Sequence, residues 1–207
     1  LIYPPTYLSP RLPIGKLPQT EHDHARFIDT LLHDLGRRRA DFEAALHLFE
    51  SCTTFLENAN NRILNEEEYR LRWHWRSFAI REAVATIYRV DEDLDCANKN
   101  LNKCQVLVTL VDHDLKRAAR RAFKTSFPGV DGIRHGIQHF AKLYGTPEAF
   151  AQHAASEINY VNHLEGRTVR TVYEGKDAFL ELSEESLSKL TEVRDLYWGA
   201  YFAAGAQ

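Results

Sequence analysis

The sequence contains no methionine, three cysteines and no apolar run long enough to cross a bilayer, and the last two scarcities each remove a class of protein. Cys52, Cys96 and Cys104 are scattered, odd in number and without a C-x-x-C pair. This excludes a disulfide framework and a zinc ribbon, and it reads as reduced, partly buried thiols. The most apolar stretch, Val106 to Val111, is interrupted by Thr109 and far too short for a span, so no membrane association is expected. The amino terminus has no signal-type apolar segment, and a cytoplasmic location is expected. There is no G-x-S-x-G elbow, no phosphate-cradling glycine loop, no dinucleotide fingerprint and no H-E-x-x-H. A strong excess of charge of either sign is missing too. Charged residues make up 27% of the chain, yet the formal net charge is only -3. The molecule is no polycation that would coat nucleic acid indiscriminately, so any anion site must be a local patch.

What remains is mostly helical pattern. The 207 residues suffice for one domain with appendages. Leu1 to Pro18 holds five prolines and reads as an extended arm. From Thr20, Ile28, Leu31, Leu35, Phe42, Ala45, Phe49, Cys52 and Leu56 recur at spacings of three and four, broken only by Arg38. That spacing predicts a long amphipathic helix. Asn58 to Asn61 interrupts it, and Asn65 then caps a second long helix whose first turn carries Glu66, Glu67 and Glu68. Tyr69, Trp73, Ala79 or Ile80, Ala83, Ile87, Val90 and Leu94 continue its expected buried face, with core packing favoured over base stacking for Trp73. Two long helices on a short connection pack as an antiparallel hairpin.

Shorter helices are expected over Asp112 to Ser126 and Val130 to Tyr144, the second ended by Gly145. Arg167 to Tyr173 and Asp177 to Leu182 read as a β-hairpin with Glu174-Gly175-Lys176 as its loop. Ser183, Glu184 and Glu185 then open a last helix. The expected class is mainly α: an antiparallel helical bundle with two long helices, a small C-terminal β-hairpin and a final helix. The expected segments are an arm over 1–18, a helical bundle over 19–145 and a C-terminal extension over 146–207.

The chemistry concentrates in Arg134-His135-Gly136-Ile137-Gln138-His139, directly after the break at Pro128-Gly129. Arginine grips a phosphate through a planar fork of donors, and histidine exchanges a proton near neutral pH, so the pair can handle a phosphodiester without a metal. At ~100° per residue Arg134 and His139 point about 140° apart around a helix, and a second chain is needed to bring one residue of each kind together. Upstream, Arg117, Arg120, Arg121 and Lys124 line one helical stripe. From Asp114 to Lys142 there are seven basic residues against two acidic ones, which suits phosphate contacts. Plainer readings stand beside these: a salt-bridged arginine with a satisfied histidine, and a solvated basic face. His135 and His139, four residues apart, also share a face in the manner of a metal pair. A third ligand would have to come from His113, His153 or Glu148, and the expectation is that no metal or other cofactor is used.

The order of parts resembles the HEPN superfamily of helical nucleic-acid-associated proteins. Two long helices are followed by a shorter one ending in Phe127-Pro128 and by a helix opening with R-x4-H. Arg81-Glu82-Ala83-Val84 and Ile133 to His139, with the late hairpin and helix, are similar to its abortive-infection AbiU-like branch. The resemblance implies a homodimer with motifs facing across the interface and a metal-independent endoribonuclease. In it Arg134 and His139 match the invariant pair and His135 the polar position. Asparagine is more usual where His135 stands, and the tyrosine of toxin relatives regulated by modification is here Ala141. A non-catalytic helical module that binds nucleotides or a protein partner is the alternative.

Overall fold

The computed structural model describes residues 9–59, 65–138, 163–173 and 176–205. The chain is mainly α, as the hydrophobic period predicts. Short 3-10 turns at Ile14–Lys16 and Gln19–Glu21 lead into α1 (His22–Ala59). There follow α2 (Glu66–Leu101), α3 (Leu107–Leu110), α4 (His113–Ser126) and α5 (Val130–Gln138). A three-stranded sheet, β1 (His163–Glu165), β2 (Thr168–Tyr173) and β3 (Lys176–Glu181), precedes α6 (Glu184–Gly205).

The elements divide into two compact units, each assembled from separate stretches of chain. The first comprises Leu1–Ala40, Arg89–Ser126 and Ser188–Gln207, and the second Asp41–Tyr88 and Phe127–Leu187. Both long helices and α6 contribute residues to both units.

In the first unit Ile28, Leu32, Leu35, Leu94, Leu101, Phe123, Val193 and Tyr201 are buried together as core. The expected extended arm is, over its described part, a turn-rich lead-in. Leu12 and Leu17 are buried, and the Leu12 amide donates to the Asp29 carboxylate at 3.1 Å. Buried Glu21 accepts the backbone amides of Val106 and Leu107 at 2.8 and 3.1 Å, satisfying donors at the start of α3. Asp112 does the same for α4, accepting the amides of Asp114 and Leu115. The Trp198 indole N–H donates to the Leu32 carbonyl at 2.8 Å and fixes α6 to α1. Arg38, the break in the α1 stripe, meets Asp93 of α2 at 3.2 Å, with little of either side chain exposed. Burial pushes the Asp93 carboxyl above its ordinary range, against the opposing pull of Arg38.

In the second unit Phe42, Leu46, Phe49, Ala79, Ala83 and Ile87 are buried on the facing halves of α1 and α2. The antiparallel sense shows where Arg72 of α2 lies over Phe55 of α1. Asn65 caps α2 through the Glu67 amide at 3.0 Å, as expected. The amino-terminal half of α2 departs from expectation, however. Tyr69 and Trp73, read as core, are 45% and 47% exposed, and Leu71, Trp75 and Phe78 are exposed as well. Helical periodicity reports an apolar face but not whether another element covers it, and none among the described residues covers this one.

The hairpin is present and is extended by one strand. β1 pairs antiparallel with β2, and β2 with β3, in the order β1-β2-β3. Lys176, expected in the loop, instead pairs with Tyr173. Ala178 and Leu180 of β3 alternate inward with exposed Asp177 and Phe179, the period-two pattern of a half-buried strand. α5 packs on β2 and β3 through Val130, Ile133 and Gly136.

Candidate functional site

The site expected from sequence sits on α5. Gly129 takes a positive φ of 136°, which glycine adopts without strain, and its carbonyl accepts the Ile133 amide. The helix therefore starts directly after Gly129 and carries the motif's first residues in its opening turns. Gly136 lies where α5 crosses β2, and a Cβ there would overlap the Thr171 side chain. The glycine of the motif is thus needed for close packing, and it sets how near the Arg134–His135 segment approaches the sheet.

Arg134 is half-buried, its guanidinium carbon 3.9 Å from the centre of the Tyr88 ring on α2. Stacking occupies the face of the guanidinium and leaves its N–H edges directed elsewhere. Among the described residues no carboxylate pairs with Arg134, so the salt-bridged reading of this residue finds no support there. His135, next in the chain, is half-buried. His139 lies outside the described residues, as do His153 and Glu148, so the proton-transfer residue and two of the possible metal ligands have no described position. His113, the remaining one, uses Nε2 to donate to the Val108 carbonyl at 2.9 Å and serves the α3–α4 corner.

The basic stripe of α4 belongs to the first unit and separates into two kinds of residue. Arg120 is clamped to Asp91 and Asp95 of α2, and Arg117 pairs with exposed Asp114 one turn earlier on its own helix. Arg121 and Lys124 are exposed and have no carboxylate partner among the described residues. They are the stripe members whose charge faces solvent unneutralised.

A cluster missed in the sequence reading lies in the second unit. One ligand atom each from His47, Glu50 and Glu184 lie within 4.8 Å of one another, a donor set able to take a divalent ion. The H-x-x-E spacing of His47 and Glu50 on α1 was its only local signal, since Glu184 arrives from far along the chain. Glu50 also pairs with Arg167 at 3.0 Å, so an ion would compete with a cation already in place. The free thiols carry no comparable chemistry. Cys104 is buried, and burial together with the negative charge of Glu21 pushes its thiol up, away from a reactive thiolate.

Comparison with protein-family models, with curated proteins and with solved structures finds no match to the chain.

Proposed function

We propose that the chain is a HEPN-like, AbiU-like cytoplasmic protein that acts on RNA as a homodimer. It is a metal-independent endoribonuclease of a defence or abortive-infection type. The observation that carries the reading is Arg134: a half-buried guanidinium stacked on Tyr88 and without a carboxylate partner among the described residues. An arginine held by its face presents its donors as a fixed fork, which matches a phosphate oxygen pair. In the proposed chemistry the 2′-hydroxyl attacks the neighbouring phosphorus and the 5′-oxygen leaves. His139 of one protomer takes the proton from the hydroxyl, its counterpart protonates the leaving oxygen, and Arg134 stabilises the added negative charge. His135 orients the site, and in the first unit Arg121 and Lys124, which have no carboxylate partner among the described residues, supply contacts to RNA phosphates of their own.

The test is cleavage of a mixed RNA substrate by the intact chain. Products ending in 2′,3′-cyclic phosphate, made equally well with excess chelator, support the mechanism. His139→Ala is expected to slow cleavage by about 10²–10⁴-fold with binding nearly unchanged. Arg134→Ala is expected to weaken both, and His135→Asn to be tolerated. Unchanged cleavage by His139→Ala, or a requirement for zinc, refutes it. A second reading, a non-catalytic module that binds a nucleotide or a protein, is favoured by the exposed aromatics of α2. RNA binding without cleavage, or no RNA binding at all, selects it.

A further inference from the structure

We infer that His47, Glu50 and Glu184 form a binding site for a divalent transition-metal ion of the zinc type, which braces α1 against the start of α6. All three residues belong to the second unit. The ion is structural and takes no part in the Arg134 chemistry, so the site stands independently of that reading and of its metal-free mechanism.

The site is assembled on rigid backbone. His47 and Glu50 are three residues apart on α1 and so share a face, while Leu46 and Phe49 beside them are fully buried and hold that turn to the core. Glu184 opens α6, where the Ser183 hydroxyl accepts the Ser186 amide at 3.3 Å and the Ser186 hydroxyl donates to the Glu181 carbonyl at 2.7 Å. The Leu182 amide donates to the Arg167 carbonyl at 2.9 Å, so one corner brings both Glu184 and Arg167 to α1. The helix dipole explains an acid at position 184. It does not explain why that acid meets an imidazole and a second carboxylate, with one ligand atom of each within 4.8 Å of the others.

Two further observations point to a cation. Neither His47 nor Glu184 has a hydrogen-bond or ion-pair partner among the described residues, so both are available as ligands. Glu50 has already drawn one cation, pairing with Arg167 at 3.0 Å, and the Arg167 side chain is 55% exposed and can swing out. One arginine for two carboxylates leaves a negative charge over, whereas a divalent ion balances both. Metal–ligand bonds of about 2.0–2.2 Å put donor atoms roughly 3–4 Å apart, so the cluster closes by about 1 Å, within reach of a turn of the exposed Glu184 side chain. The imidazole sets the class of ion. Oxygen ligands alone suit magnesium or calcium, and an imidazole among them favours zinc and its neighbours.

The test is calorimetric titration of the full chain, first stripped with chelator, with zinc chloride, and with magnesium chloride as a separate arm. One zinc per chain is expected, with no saturable magnesium binding at the same concentrations. His47→Ala and Glu184→Gln should each weaken zinc binding at least tenfold, since even the loss of a residue that only supports a ligand costs about 10–100-fold. Both side chains are exposed, so neither change endangers the fold. Arg167→Gln should tighten binding by about twofold to fivefold, the worth of the surface ion pair that zinc displaces. His33→Ala, an exposed histidine of α1 in the first unit, should bind like the parent. Zinc should raise the melting temperature of the parent and leave that of His47→Ala with Glu184→Gln unchanged. No zinc binding by the parent, binding undiminished in that double variant, or magnesium held as tightly as zinc overturns the assignment.

Discussion

Gly136 and Thr171 show how a single methyl group decides the placement of a motif. The Cβ of Gly136→Ala would overlap the Thr171 side chain of β2, and the crossing has no flexible neighbour to give way. Overpacking of this kind costs about 1–3 kcal/mol, read as a lower urea midpoint with an unchanged slope. Adding Thr171→Ala to that variant should recover part of the loss, since it removes the clashing atoms and an unsatisfied buried hydroxyl together. Arg38 and Asp93 make a different point. Removing one partner by Asp93→Ala strands a charge that is mostly buried and is expected to destabilise by about 3 kcal/mol, whereas Arg38→Met with Asp93→Leu should come out near neutral. The pH dependence follows from the raised Asp93 carboxyl. Between the unfolded and the folded pKa the native state binds more protons, so this group's contribution is favourable in acid and is lost as pH rises through the folded value. Denaturation of the parent and of Asp93→Asn at several pH values should therefore show the balance shifting toward the parent as pH falls from 7 toward 4. An unchanged difference would mean that Asp93 titrates as it does in the unfolded chain.

At the scale of elements, α4 carries a second division of labour. Arg120 belongs to the fold, and its replacement by Ala strips Asp91 and Asp95 of their shared cation; a loss of about 2 kcal/mol or more in stability is expected. Arg121→Ala with Lys124→Ala should leave stability nearly untouched and flatten the salt dependence of RNA affinity, by a slope change of about 2 in a log–log plot. Equal effects of the two changes on binding and stability would deny the division. The sequence carried the α4 stripe as one set, because spacing places residues on a face but says nothing of the acids that a second helix brings to it. The same limit explains α2. Its cap at Asn65 and its acidic first turn were legible, being local chemistry, while the exposure of Tyr69 and Trp73 depends on what stands opposite. The hairpin was legible from its alternation. The third strand was not, since His163–Glu165 is too short for a period to register. Of the candidate site, the break at Gly129 and the start of α5 could be read locally, but the Tyr88 ring beneath Arg134 could not, because 46 residues of chain separate the two.

For the molecule as a whole, the exposed aromatics of α2 bear on assembly. Among the described residues Trp75 and Phe78, three positions apart on one side of α2, are 42% and 53% exposed, and Trp73, about 160° around the helix, is 47% exposed. If this half of α2 joins two copies, light scattering at micromolar concentration gives twice the chain mass. Trp73→Gln with Trp75→Gln and Phe78→Gln should return it to the single mass with helicity preserved by circular dichroism. A parent that scatters as a monomer removes both the dimer and the shared catalytic arrangement. The interleaving of the two units has a consequence of another kind, for the order in which the protein is made. Trp198, which holds α6 to the Leu32 carbonyl, is synthesised 166 residues after Leu32. The first unit therefore stays open until α6 has been made, its earlier apolar residues waiting for that helix. No single cut in the gene separates one unit from the other, so recombination at one point cannot pass on either unit alone.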